Sequence, residues 1–412
     1  MIQDDTILGS PQESATYKFF LIYNMLYRRK SPTGIINLGY RPILMMLEYI
    51  KYEHIYENMI NKYDYKKHYE ENIEVDCDAL TGIKIIYVND PVGCLKTLID
   101  RCKIDKNKNY WYYTPALMTA LNGHLNCLKY LCENGCSRNV YICSFAAFGG
   151  HLECLKYARE NGCIWSESTC KHASASGHLN CLKYLYENGC PWNSDTCLNA
   201  AKNGHLDCLK YARENGCLWN EDTCSNAAWN GHLDCLKYAR ENKCRWSEDT
   251  CMNAARNGYL DCLKYAHENG CPWNSLTCSN AAENGHLNCL KYARENGCPW
   301  NESTCSLAAK NGHLECLKYA RENECEWNES TCSCAAWGGH LDCLKYAREN
   351  GCPWDEATCS YAAKNGHLEC LKYAHENECK WGFETCAYST INGHLDCLKY
   401  ASENGCSCDI WT

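Results

Sequence analysis

Between Asn220 and Asn242 the chain reads NEDTCSNAAWNGHLDCLKYAREN, and its polar and apolar positions divide it into two short helices. Asn220 is a good N-cap, Glu221 and Asp222 place negative charge in the first turn, and Ala227-Ala228 continue the helix. Asn230-Gly231, a pair that tolerates positive φ, then stops it. The second helix begins at His232, with Leu233, Leu236 and Tyr238 among its apolar contacts, Cys235 and Ala239 as small neighbours, and Asp234 near its positive end. Lys237 and Glu241 stand four apart and are expected to pair across one turn. In most copies this helix too ends on Asn-Gly, as at Asn215-Gly216.

That helical hairpin recurs. His124, His151, His178, His205, His232, Tyr259, His286, His313, His340, His367 and His394 follow each other at 27 residues, which defines eleven units. A unit of this length cannot bury its apolar face alone, so neighbours must stack. The expected fold is an all-α solenoid of helical hairpins with little or no β structure, and its length measures extent along one axis. With helix layers roughly 9 Å apart, eleven units make an arc about 100 Å long.

Composition narrows the class further. The first residues, MIQDDTILGS, carry acidic flanks and no apolar core, so no secretory signal is read there, and nowhere do 18 apolar residues run together. A soluble, cytoplasmic protein is expected, with no membrane partner. Of 38 cysteines, 32 fall in three columns, represented by Cys208, Cys217 and Cys224. In a long chain without a signal such columns are features of the unit, and the thiols are expected to be reduced. The net charge of -9 arises wholly after residue 110, because residues 1–110 hold 15 Lys/Arg against 15 Asp/Glu and residues 111–412 hold 26 against 35. An acidic array offers no footprint for phosphate backbones, so nucleic acid is not an expected partner.

The unit resembles the ankyrin repeat on particular residues. Ala200-Ala201, Gly204-His205-Leu206, Lys210 and Gly216-Cys217 follow that family's pattern in order. Upstream, Thr114-Pro115-Ala116-Leu117 precedes Gly123-His124-Leu125 at the family's spacing, and Cys94-Leu95-Lys96 repeats Cys127-Leu128-Lys129 at 33 residues, the ankyrin period. The resemblance covers about residues 78–406. It implies a degenerate repeat over 78–109, eleven 27-residue repeats over 110–406, an unassigned N-terminal region over 1–77 and a short tail over 407–412. The later units are six residues shorter than the family's and have Thr-Cys where it has Pro-Leu, so the protruding β-hairpin is expected to be absent. Short, cysteine-rich repeats of this style are similar to those of ankyrin proteins encoded by giant DNA viruses of amoebae. That likeness implies host proteins as partners and the host cytoplasm as location.

Four sets of residues are candidates for chemistry. His205 and Cys208 lie three apart on one helix, a spacing that can place two metal ligands on one face, and the pair recurs in ten units. The three cysteine columns also suit small apolar core positions, and no CxxC occurs, so no metal or cofactor is assigned. A catalytic Cys/His pair needs one pocket and an orienting third group, which a tenfold copy along a stack does not offer, so no catalytic residues are named. The histidines are expected to bond backbone groups at the turn and to cap the second helix. Nine tryptophans, Trp165 through Trp381, sit two residues after the Gly-Cys column and read as inter-repeat packing.

The last set is the position three residues before each histidine, which changes from unit to unit: Phe148, Lys202, Trp229, Arg256, Glu283, Lys310, Trp337 and Lys364, with Leu121, Ala175 and Ile391 completing the column. Packing forces sameness and a partner does not. By resemblance this is a contact position on the concave side, and aromatic and Arg side chains are the types that anchor interfaces. The function expected is a non-enzymatic protein–protein interaction scaffold. A metal-binding Cys/His array is one alternative. Another is an adaptor that recruits a second partner through residues 1–77, where ILMMLEYIKYEHIYENMI over 43–60 has the helical spacing of a capping segment.

Overall fold

The computed structural model describes residues 75–76, 84–85, 116–133 and 140–406. The chain divides into two units, 1–75 and 76–412. The segment over 43–60, most of 78–109, Arg138 and residues 407–412 lie outside the described residues. Strands of two residues occur at Val75–Asp76 and Lys84–Ile85, as a minimal two-stranded sheet. Residues 116–121 are helical, and twenty-one helices of nine or ten residues follow from Leu125 to Glu403. Among the described residues of the repeat array there is no strand, and each unit is a helical hairpin.

Local chemistry sets both ends of each helix. The first helix of unit 5, Glu221–Trp229, starts after Asn220 in an extended backbone conformation. In other units the capping side chain works directly: the Asn193 Oδ1 accepts the Asp195 N–H at 3.0 Å, and Asp355 Oδ1 accepts the Ala357 N–H at 3.1 Å. At Asn220 the amide instead donates to Asp222 Oδ2 at 2.9 Å. The C-terminus closes by paired bonds, His232 N–H to Ala227 O at 2.9 Å and Gly231 N–H to Ala228 O at 3.3 Å. The second helix, Leu233–Glu241, ends the same way, with Cys244 N–H to Ala239 O at 3.0 Å and Lys243 N–H to Arg240 O at 2.9 Å. This arrangement requires a left-handed residue just past each helix, which the glycine positions supply.

First helices pack against first helices of both neighbouring units, and each second helix packs on its own partner. The Ala-Ala pair makes the first contact close, since Ala200, Ala201, Ala227 and Ala228 are fully buried and add no bulk between backbones. Each second helix contributes a fully buried leucine, such as Leu209, Leu236 and Leu263. Leu398 of unit 11 is only partly buried, and Ile391 and Leu395 beside it are 77% and 72% exposed. The same sequence position is therefore buried only where a following unit covers it.

The tryptophan column forms the seam between second helices. The Trp219 ring meets Tyr238 of the next unit edge-on at 6.2 Å, and Arg213 lies over its other face at 4.4 Å. Where arginine is replaced, another flat group takes its place: His267 stacks on Trp273 at 3.6 Å and Tyr186 on Trp192 at 4.1 Å. Packing between repeats, as expected from the sequence, is what these rings do.

The expected Lys237–Glu241 pair does not form. Lys237 instead lies over the Tyr265 ring of the next unit at 5.8 Å. The residue three before each lysine decides the outcome. Where it is glutamate, the lysine turns back to it, as in Lys156–Glu153 at 2.8 Å, Lys318–Glu315 at 2.9 Å and Lys372–Glu369 at 3.0 Å. Aspartate is one methylene shorter and asparagine carries no charge, so in those units the lysine goes to the neighbouring ring. Lys399, in the last described unit, makes the i,i+4 pair instead, with Glu403 at 4.0 Å.

Candidate functional site

The variable column occupies the last turn of the first helices: Lys202, Trp229, Arg256, Glu283, Lys310 and Lys364 are each the final helical residue, and Trp337 precedes the final Gly338. Each side chain leaves the helix beside the turn, where the Ala-Ala core ends. Lys202, Trp229, Arg256 and Lys310 are exposed, and Phe148, Glu283, Trp337 and Lys364 are half-buried. Leu121, by contrast, is buried and belongs to the core.

Neighbours in the column meet. Arg256 lies over the Trp229 ring at 5.4 Å, and Lys364 lies over the Trp337 ring at 5.1 Å and the Tyr388 ring at 5.2 Å. Trp337 also meets Tyr361 edge-on at 5.1 Å, and its carbonyl accepts from Asn365 Nδ2 at 3.2 Å. Phe148 meets His172 edge-on at 6.2 Å. These contacts hold flat rings upright on the surface, at modest energy, because cation–π pairs at exposed sites contribute about 0.5–1 kcal/mol.

The histidines meet backbone groups as expected, but those of the preceding unit, and the expected side-chain cap is not made. Each is the N-cap of a second helix, yet none at His178, His205 or His232 caps with its side chain. The ring reaches back to the preceding unit instead. The ring interacts there with the backbone carbonyl at the end of that unit's first helix, a contact that works against the lowering of its pKa: His178 with Phe148, His205 with Ala175, His232 with Lys202, His286 with Arg256 and His340 with Lys310. The physical reason is reach, since the ring stacks over the preceding turn glycine and has its polar edge at that carbonyl. A constant side chain thus fixes the backbone of a variable residue. Burial is the main cause that lowers the pKa of these imidazoles, with neighbouring histidines adding to it at His205 and His286.

His205 and Cys208 do not converge. Cys208 is in the core, where burial pushes its thiol up to about 12, while His205 faces the preceding turn. The other two cysteine columns face each other as free, buried thiols, Cys197 beside Cys217 and Cys224 beside Cys244, and this neighbourhood raises the pKa of Cys197 and Cys224. Cys217 Sγ also donates to Asn193 O at 3.1 Å and Cys244 Sγ to Asn220 O at 3.1 Å. These are buried, weakly hydrogen-bonded small side chains. Among the described residues no group of three or more His, Cys, Asp or Glu is placed to hold a metal ion.

One depression of about 350 Å³ opens on the column face. Lys310, Asn311 and Trp337 line it together with Gly338, His340, Asn365 and His367. Two of the column residues therefore share a cavity. The other five come from three units and were not brought together by sequence reasoning; most units have Asn-Gly before the histidine, whereas unit 9 has Gly338-Gly339, as unit 2 has Gly149-Gly150. The helix runs one residue further there, to Gly338, and a Cβ on Gly338 would meet the Lys310 carbonyl oxygen and His340 Cδ2.

Residues 170–213 and 305–348 match the family described as ankyrin repeats, in many copies. The array is an ankyrin-like solenoid. Among solved structures, the human ASB11 ankyrin repeat domain is 19% identical, with 38% of this chain and 84% of that chain covered and a TM-score of 0.35. Comparison with the curated proteins finds no match. The repeats depart from the family at the hairpin between units, as expected: residues 215–220 and their described equivalents in the array form turns and irregular backbone without strands. No helix among the described residues is long and apolar enough to cross a membrane.

Proposed function

We propose that the array is a non-enzymatic scaffold that binds a protein partner along the ends of its first helices. Ankyrin repeats are in general protein–protein interaction modules. The observation that carries the reading here is a contrast within each unit. The seam and core positions are the same in unit after unit, while Phe148, Lys202, Trp229, Arg256, Glu283, Lys310, Trp337 and Lys364 change and lie at the surface. Trp229 through Trp337 span units 5 to 9, a strip about 40 Å long at helix-layer spacing. Aromatic and Arg anchors set among near-neutral neighbours are the usual composition of a binding hot spot.

The test is affinity capture of partners from cell extract with the full chain, with Trp229→Ala/Trp337→Ala, and with residues 1–77 deleted. Loss of captured partners with the double variant, in a protein whose circular dichroism is unchanged, is the expected result, at about 30-fold in affinity. Partners kept by the double variant and lost on the deletion would move the site to residues 1–77.

A further inference from the structure

The depression in unit 9 has a chemistry of its own. It lies on an array where acidic residues outnumber basic ones, yet its lining holds Lys310, two imidazoles and two carboxamides and no carboxylate. The column around it is basic as well, since Lys202, Arg256, Lys310 and Lys364 stand against one acid, Glu283. Among the described residues neither Lys310 nor Lys364 is within ion-pair distance of a carboxylate. Between the two lysines stands Trp337, braced by Tyr361 and by Lys364 itself.

Spacing adds a second constraint. Lys310, Trp337 and Lys364 belong to successive units, so they repeat at roughly 9–10 Å along the stack. An extended peptide in the polyproline II conformation rises about 3.1 Å per residue with three residues per turn, so every third side chain faces the array and meets the next unit. We infer that this patch takes an extended acidic peptide of a partner protein, with one carboxylate in the depression at Lys310, an apolar side chain three residues on against Trp337, and a second carboxylate three residues further at Lys364. The required pattern is Asp/Glu-x-x-apolar-x-x-Asp/Glu, in either chain direction. This inference rests on the column face being the docking face.

Nucleic acid fits less well. A phosphate backbone needs a continuous basic track, and Glu283 interrupts the column one unit before Lys310. Unit 5 presents the same aromatic as Trp229-Asn230-Gly231, with an asparagine side chain where unit 9 has only the hydrogen of Gly338. Gly338→Asn therefore gives unit 9 a turn sequence the array already contains, and its Cβ would displace the Lys310 carbonyl or the His340 ring, both at the lining of the depression.

The experiment uses the full chain and a fluorescein-labelled peptide, Glu-Ser-Gly-Leu-Ser-Gly-Glu, read by fluorescence anisotropy. Binding that weakens with added salt, and that is at least about tenfold tighter than for the Gln-for-Glu peptide, is expected. Gly338→Asn and Lys310→Glu should each weaken it about tenfold or more, and Lys243→Glu, outside the column at a position where other units already carry Glu324 and Glu378, should not. Equal binding of the Gln peptide would overturn the inference. So would insensitivity to both Gly338→Asn and Lys310→Glu, or capture of a single-stranded oligonucleotide in place of the peptide. Peptides selected from a random library separate this from the broader reading. Uncharged peptides that are lost with Trp337→Ala would leave the docking face standing and remove the acidic motif. Acidic peptides unaffected by both tryptophan variants would remove the face as well.

Discussion

Two kinds of tryptophan stand in this array. Trp273 and its equivalents recur in nine units and are clamped, Trp273 between His267 at 3.6 Å and Tyr292 at 6.4 Å. Trp229 and Trp337 occur in a column that otherwise holds lysines, an arginine, a glutamate, a phenylalanine and aliphatic residues. Trp229 is 37% exposed and has Arg256 on one face. A ring kept in every unit reports what the stack requires, and a ring kept in two reports something the stack does not require. Even these two differ. At the place of Tyr361, which braces Trp337, unit 6 has Asn253, so Trp229 has no aromatic wall.

The largest effect expected follows from the clamp. Trp273→Ala should destabilise the array by about 3 kcal/mol, whereas Trp229→Ala should stay within about 0.5 kcal/mol. Urea unfolding followed by circular dichroism checks both, and equal midpoints for the two variants would dissolve the distinction.

The turns offer the same contrast one step down in energy. Gly204 and Gly216 both have positive φ, +78° and +83°. A Cβ on Gly204 would meet His232 Nδ1 at 2.5 Å, while a Cβ on Gly216 would meet nothing within 4 Å. Left-handed backbone alone costs a non-glycine residue about 1–2 kcal/mol, so Gly216→Ala should lose about 1 kcal/mol and Gly204→Ala about 2 kcal/mol or more. The chain already bears this out in part. Lys243, Glu324 and Glu378 occupy the Gly216 position at φ of 66° to 68°, and in all eleven units the Gly204 position is glycine.

Protonation probes the turn face against the seam. Burial lowers the pKa of His151, His178, His205, His232 and His340, and it takes His172 down to about 4. A histidine whose folded pKa lies below the unfolded value of about 6.5 binds protons more readily when unfolded. Its contribution is therefore complete above about pH 6.5 and is lost as pH falls toward the lowered folded values. Urea midpoints that decline steadily from pH 7.5 to 5 are expected, and a flat profile would contradict the buried, neutral imidazoles.

The smallest effect tests how much the imidazole itself matters. Tyr259 stacks over Gly231 as the histidines stack over their glycines. Tyr259→His should change stability by less than about 0.5 kcal/mol at pH 7.5 and steepen the decline toward pH 5. A gain much above that would mean that the bond to the Trp229 carbonyl is worth more than the stacking.

Much of this was legible from the chain alone. The period, the helix starts at Asn220 and its equivalents, the stops at Asn-Gly, the buried cysteine columns and the seam tryptophans are dictated by propensity, turn chemistry and repetition, all of them local or nearest-neighbour effects. The variable column was legible too, because packing could not explain its variation. What stayed hidden depends on groups brought together from different units. The sequence placed Lys237 against Glu241 and the histidines on their own helix ends. The stack instead put a tyrosine within reach of the lysine and a carbonyl within reach of the imidazole. The depression at Lys310 and Trp337 needed residues of three units side by side. A repeat sequence determines its unit and its period because each unit meets the same neighbours; where one unit departs from the rest, only the packed structure decides what the departure opens.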